Sequence, residues 1–301
     1  TEIITDLDEA DVSYATINDA VYMSNGINDV YKWDGPRTGS KVDQNSNSGQ
    51  TKLYVAVTTD FAEGETVIIG KGTAGEETKV IASIEAGDYL TMTENLDNNH
   101  TAVDEDPVVT LYKKLTTLPK AKYLVVHYDK LFYVATAVNP NYVYFSQAGT
   151  PETVDADAFF EVYTTDGDVL TGVASLFGYL ILFKNYSVHR LQGASKAELL
   201  LNSNLMDVYP NVGCVSHKSI APATGGLIFL SAEYVKHFDS VTMRNVDGET
   251  EYEPKKVGEF IEAIPISKRS MCSGFWDGKR YRLSYLGAGE TAISGTLVCH
   301  L

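Results

Sequence analysis

Short apolar runs come in pairs along this chain, each pair joined by a tight turn. In "AVYMSNGINDVYKWDG" (residues 20–35) the runs flank Asn25-Gly26. In "YDKLFYVATAVNPNYVYFSQAG" (128–149) they flank Asn139-Pro140-Asn141. "YLILFKNYSVHRLQG" (179–193), "GLIFLSAEYVKHFDS" (226–240) and "KRYRLSYLGAGETAISGTLVCHL" (279–301) repeat the arrangement. Strand-length runs around Asn-Gly or Gly-rich turns predict β-hairpins. The pairs start near residues 20, 130, 179, 226 and 279. Apart from the first interval the spacing is roughly 50 residues, the period of a four-stranded propeller blade. Each visible hairpin is expected to be a blade's inner and middle strands, with less regular outer strands such as "SKVD" or "ISKRSMCSGFWDG".

The first interval is about twice the period, and an insertion explains it. Residues 46–50, "SNSGQ", read as a linker. Strand runs separated by Gly-containing turns follow until "DPVVTLYKKL" ends near residue 115. The expected organisation is all-β. A first propeller segment covers 1–45, a small β-barrel-like module 46–115, and the remaining blades 116–301. About five blades are visible. Helical signals are confined to two places. "SKAELLLNSNLM" (195–206) has Ser195 as N-cap and Glu198 at the capping-box position. "KKVGEFIEAIP" (255–265) spaces Val257, Phe260, Ile261 and Ile264 for one helix face, and Pro265 stops it.

Composition agrees with a strand-rich chain: among 301 residues there are 19 Tyr and 24 Gly. No apolar run approaches the roughly 20 residues that span a bilayer. The first residues, "TEIITDLDEADVS", carry acids and no basic stretch, so they do not read as a signal peptide. Net charge is −16 with an isoelectric point near 4.7. That argues against tight binding of phosphate backbones, leaving a local pair such as Lys255-Lys256 as the exception. The module is acidic, with twelve Asp and Glu against five Lys between Ser46 and Leu115, and reads as a docking surface.

Candidate chemistry is sparse. Cys214, Cys272 and Cys299 lie far apart and show neither a zinc spacing nor a disulfide framework. His100, His127, His189, His217, His237 and His300 fit no metalloprotease or triad spacing, so each is expected to be structural. "DNNHTAVDED" (97–106) and "TTDGDV" (164–169) cluster oxygens that suit calcium but lack an EF-hand pattern, and a solvated turn is the default. "GKGTAG" (70–75) lacks a phosphate-loop ending, and "GVASLFG" holds Ser175 without a nucleophile elbow. Trp33 and Trp276, each followed by Asp-Gly, are expected to fill gaps between blades, with a ligand platform as the alternative. No catalytic, cofactor-binding or metal residue is assigned, and no cofactor is expected.

The hairpin phrases resemble the β-propeller structural proteins of tailed-phage virions, in particular the tail nozzle or hub family, tail tubular protein B. The resemblance rests on Asn139-Pro140-Asn141 with Tyr144-Phe145-Ser146, and on Phe183-Lys184 with Ser187-Val188-His189-Arg190-Leu191. It rests also on Ser231 with Tyr234-Val235-Lys236-His237-Phe238-Asp239. It covers most of residues 14–45 and 120–240. One departure is Glu233 where the family's third phrase has Gly. The resemblance implies a non-enzymatic virion tail component assembled in the host cytoplasm. It implies a homo-oligomeric ring, six copies around the tail axis, that carries DNA below the head-to-tail adaptor without binding it specifically. The module would meet the adaptor, fibres or the adjacent copy. Two alternatives stand beside it: a carbohydrate-binding or carbohydrate-cleaving propeller, and a generic protein-interaction propeller.

Overall fold

The computed structural model describes residues 11–35, 37–110, 112–163, 166–201, 204–246 and 257–300. The chain divides into two compact units, Thr1–Lys120 and Ala121–Leu301. In the first, β1 (Ser13–Ile17), β2 (Ala20–Ser24) and β3 (Val30–Trp33) form an antiparallel meander. Asn18 and Asp19, at φ 52° and 56°, make the β1–β2 turn, and these are the residue types that tolerate left-handed backbone best. The Asn25 carboxamide oxygen accepts the Ile27 and Asn28 amides and shapes the β2–β3 turn.

After β3 the chain leaves to build six strands. They are β4 (Arg37–Lys41), β5 (Lys52–Tyr54), β6 (Thr66–Ile69), β7 (Glu77–Glu85), β8 (Tyr89–Met92) and β9 (Pro107–Thr110). They pair in the order β4-β9-β6-β7-β8-β5. A bridge between Val42 and Val55, with the Ala56 amide donating to the Lys41 carbonyl, joins the two outer strands, so the sheet curls barrel-like onto itself. Val42, Leu53, Val55, Val67, Ile69 and Ile81 fill it. Strand β10 (Lys113–Leu115) then returns and pairs with β3, Leu115 opposite Val30. The expected module boundaries, 46–115, therefore need shifting. "SKVD" supplies the end of β4 inside the barrel, and Lys113–Leu115 completes the first blade's sheet.

The second unit is a series of meanders. The first is β11 (Ala121–His127), β12 (Lys130–Thr136), β13 (Tyr142–Phe145) and β14 (Phe159–Glu161). The next is β15 (Leu170–Leu176), β16 (Tyr179–Lys184), β17 (Ser187–Gln192) and β18 (Leu205–Pro210), with helix α1 (Lys196–Leu199) before the last strand. Then come β19 (Ala221–Ala223), β20 (Gly226–Leu230), β21 (Val235–Phe238) and β22 (Met243–Asn245). Helices α2 (Val257–Ala263) and α3 (Ile266–Arg269) precede a three-stranded sheet of β23 (Ser273–Trp276), β24 (Arg280–Tyr285) and β25 (Gly295–His300). The described chain is thus all-β: the second unit is a propeller-like series of four antiparallel sheets, and the first holds one four-stranded sheet with an inserted module. The hairpins legible in the sequence are the second and third strands of each sheet in chain order. Ser195 accepts the Glu198 amide and the Glu198 carboxylate accepts the Ser195 amide, a complete capping box on a helix shorter than expected. Of the second expected helix, Lys255-Lys256 lie outside the described residues. Among the described residues no helix is long and apolar enough to cross a membrane.

Within this unit consecutive sheets pack face to face. In β16, Leu180 and Leu182 join the core shared with β11–β14, while Ile181 and Phe183 join the core shared with β19–β22. In β20, Leu227 and Phe229 face back toward β16, and Ile228 and Leu230 face forward to Tyr281, Leu283 and Leu297. Alternate side chains point to opposite faces, so a strand covered on both sides must be apolar throughout. Phe183 and Phe229 meet across one seam with ring centroids 4.9 Å apart.

Polar links cross the same seams. The Asn141 side chain donates to the Asp168 carbonyl (2.7 Å) and accepts the Leu170 amide (3.1 Å). Ser216 Oγ is bonded to the Cys272 carbonyl (2.6 Å), and the Tyr281 hydroxyl to the Ser219 carbonyl (2.6 Å). His127 Nδ1 lies 2.8 Å from Ser175 Oγ, while its Nε2 is buried without a hydrogen-bond partner. Burial pushes the His127 pKa down to about 4. His217 packs on the Tyr123 ring, its Nδ1 accepts the Val173 amide, and burial pushes it too down to about 4.

Phe183→Ala should cost about 3–5 kcal/mol in urea unfolding, whereas exposed Phe177→Ala should stay within about 0.5 kcal/mol; equal effects would contradict the packing. The two histidines set an acid window. Well above pH 6.5 both folded and unfolded imidazoles are neutral, so they contribute no pH dependence there. As pH falls from 6.5 toward 4 the unfolded chain takes up protons that the fold refuses, and stability drops by up to roughly 3 kcal/mol per histidine. The urea midpoint should decline between pH 7 and pH 5, and His127→Gln should reduce the slope. A midpoint that does not move over that range would rule out buried neutral imidazoles.

Candidate functional site

The segment entering β15, the β16–β17 turn and the end of β18 enclose a cleft of about 370 Å³. Its lining is Tyr163, Asp166, Asp168, Tyr186, Ser187, His189, Pro210 and Asn211. Lys184 organises it. Its ammonium is fully buried at the end of β16 and donates to the Tyr163 carbonyl (2.8 Å) and to Asp166 Oδ2 (2.6 Å). A buried amine without such acceptors would be severely unfavourable. Gly213 lets the following chain lie against it: a Cβ there would sit 2.1 Å from the Lys184 carbonyl oxygen. Burial pulls the Asp166 carboxyl up, but the Lys184 ammonium and the Asp168 amide outweigh it and hold the carboxyl below its ordinary value. Asp168 accepts from the Val169 amide, Asn185 Nδ2 and the Tyr186 amide, so it fixes the β16–β17 turn.

The two tyrosines rise from this polar base. Tyr163 is 46% exposed and Tyr186 66% exposed. Tyr163 is held at φ 39°, and its ring lies against buried His189 at 5.0 Å between centroids. His189 Nε2 is 2.8 Å from Ser187 Oγ. Exposed rings beside hydrogen-bonding groups are the chemistry of a small polar-ligand site. Both carboxylates are already tied to the fold by protein donors, and what acceptor capacity they keep is suited to a ligand's hydroxyls.

The other residues singled out by sequence have structural positions. In the 97–106 loop, His100 is buried between Glu77 Oε1 (2.7 Å from Nε2) and Asp106 Oδ2 (3.0 Å from Nδ1). Glu77 also accepts the Asp97 and Asn98 amides and pairs with Lys79. Burial raises the Glu77 carboxyl, but those amides, His100 and Lys79 prevail and lower it. The loop's oxygens thus clamp it to the barrel. Among the described residues no group of three or more His, Cys, Asp or Glu is placed to hold a metal ion. Of the 164–169 loop, residues 164 and 165 lie outside the described residues, and Asp166 and Asp168 enter the cleft. In 70–75 the turn satisfies itself, Thr73 Oγ1 bonding the Gly70 carbonyl and Glu76 the Gly72 amide.

Ser175 meets His127, a pairing with no sequence spacing to announce it, although both residues lie near the end of the first strand of their sheets. A nucleophilic pair needs its base oriented by a third group; His127 Nε2 has none. His237 Nε2 reaches the Thr224 carbonyl at 3.3 Å. The His300 side chain lies outside the described residues. Cys214, Cys272 and Cys299 are buried free thiols, and burial pushes Cys214 and Cys299 up to about 12. Trp276 packs into the core between the last two sheets, as expected, whereas Trp33 is 39% exposed.

No family model matches the chain, and no curated protein matches it. Among solved structures, it is similar to the N-terminal domain of Nup159 at 11% identity, covering 90% of this chain and 64% of that one, with a TM-score of 0.37. It is similar also to a Saccharomyces cerevisiae complex of Dbp5 L327V bound to Nup159, Gle1 H337R, IP6 and ADP, at 12% identity, 94% and 63% coverage and a TM-score of 0.34. The chain thus spans a little under two thirds of those chains' lengths. Neither is a phage tail protein, and likenesses this faint carry no argument about function.

Proposed function

We propose that this chain is a non-enzymatic structural protein of a phage tail, a nozzle or hub component. In this reading it assembles as a ring of six copies around the tail axis and forms part of the DNA conduit below the head-to-tail adaptor. The main support is what the residues carrying the resemblance do. Asn141, from the Asn-Pro-Asn phrase, ties β13 to the start of β15. Ser146, from Tyr-Phe-Ser, accepts the Leu131 amide and donates to the Gln147 carbonyl. Phe183 fills the seam between two sheets and Lys184 anchors the loop before β15. Ser231 Oγ bonds both the amide and the carbonyl of Tyr234 and closes the β20–β21 turn. These phrases hold blades in place, which is what a conduit wall requires.

The net charge of −16 suits such a wall, because negative surface repels DNA phosphate and lets the duplex slide. The acidic barrel, built between β3 and β10, is the surface offered to the adaptor, fibres or a neighbouring copy. A carbohydrate-cleaving propeller is the second reading. The cleft's aromatic and acidic lining favours it, and the engagement of both carboxylates weighs against it.

Negative-stain images of the purified chain should show rings with a central hole; monomers at the highest soluble concentration would overturn the proposal. Lys184→Met should lower unfolding stability by roughly 1–3 kcal/mol, by stripping Asp166 and the Tyr163 carbonyl of their donor. An unchanged urea midpoint would remove the anchoring role assigned to Lys184.

A further inference from the structure

We propose that the cleft beside Lys184 binds a neutral sugar ring, independently of whether the chain forms tail rings. The tyrosines are the first reason. Two large rings, 46% and 66% exposed, flank one small cleft. Water solvates such rings poorly, and the apolar C–H face of a pyranose covers them well. Neither position is loose. Tyr163 occupies left-handed backbone at φ 39°, which a bulky residue adopts only where its surroundings impose it. Its carbonyl is held by Lys184 and its ring by His189. Tyr186 sits in a turn whose amide is held by Asp168 Oδ2 at 2.9 Å. A site ordered before the ligand arrives loses less entropy on binding.

The polar groups are the second reason. Asp166 and Asp168 each hold donors from the protein, yet a carboxylate offers about four acceptor positions, so acceptor capacity remains for hydroxyls. Exposed Asn211, at the end of β18, adds both a donor and an acceptor. Charge narrows the ligand. The Lys184 ammonium pairs with Asp166 alone and leaves the Asp168 carboxylate uncompensated by a cation among the described lining residues, so phosphates, sulfated sugars and acidic sugars would meet net negative charge. A volume of about 370 Å³ lies at the small end of the roughly 300–1,000 Å³ of ligand pockets, which suits a short sugar and not a macromolecular segment.

Saturation-transfer NMR tests this with the methyl glycosides of glucose, galactose, N-acetylglucosamine and rhamnose at millimolar concentration, and with an arginine dipeptide as a cationic competitor. At least one sugar should receive saturation on its ring protons. Tyr186→Ala, with an unchanged urea midpoint, should weaken binding by about tenfold or more, and Tyr186→Phe should retain it. Phe177→Ala, at an exposed aromatic outside the cleft, should leave the signal intact. Transfer to none of the sugars, transfer that survives both Tyr186→Ala and Tyr163→Ala, or preferential binding of the dipeptide would each overturn the assignment.

Discussion

A β-sheet that is apolar on both faces has to be covered on both, and the second unit of this chain is arranged around that requirement. Strand β16 sends Leu180 and Leu182 to one neighbouring sheet and Ile181 and Phe183 to the other. Strand β20 divides Leu227 and Phe229 from Ile228 and Leu230 in the same way. Each middle sheet is therefore needed by two others, and none could bury its faces alone.

Hydrophobic contact does not fix register, and the seams carry polar groups that do. Asn141 satisfies an amide and a carbonyl of the next sheet's leading segment, Ser216 reaches the Cys272 carbonyl, and Tyr281 reaches back to Ser219. Buried polar atoms tolerate few geometries because an unmade hydrogen bond is costly there. Lys184 belongs to the same set, and it also shapes a cleft. Tying down Asp166 and the Tyr163 carbonyl leaves two tyrosine rings standing at the edge of a polar hollow. Structure and candidate site therefore share one ammonium.

Much of this arrangement was legible from residue patterns, for a physical reason. "YLILFK" and "GLIFL" are unbroken apolar runs because both faces of β16 and β20 are covered, so the second strand of each blade stood out. First strands such as β11, whose exposure alternates irregularly, were hidden, and β14 and β22 are three residues each, too short for a pattern. The module's first strand, "RTGSK", has no apolar residue, so no hydrophobic pattern marks where the module begins. The capping box at Ser195 was visible because it is local. The cleft was not: Tyr163, Tyr186 and Asn211 come from separate segments that meet through sheet order alone. The 97–106 loop showed its oxygens but not their partners, since Glu77 and Lys79 lie on another strand.

The barrel is attached to its blade by neighbouring stems. Strands β4 and β9 run antiparallel, with Arg37 opposite Thr110, so the chain departs and comes back at almost the same spot, between β3 and the strand that pairs with it. A short turn in place of everything between would still deliver Lys113–Leu115 to its partner. The barrel has its own apolar interior, and it touches the sheet it interrupts through a polar link, the Lys114 amide of β10 donating to Glu65 Oε1 at 2.6 Å. Such a cassette can be traded for an unrelated one over evolutionary time, provided the replacement supplies an acceptor where Glu65 now meets the Lys114 amide.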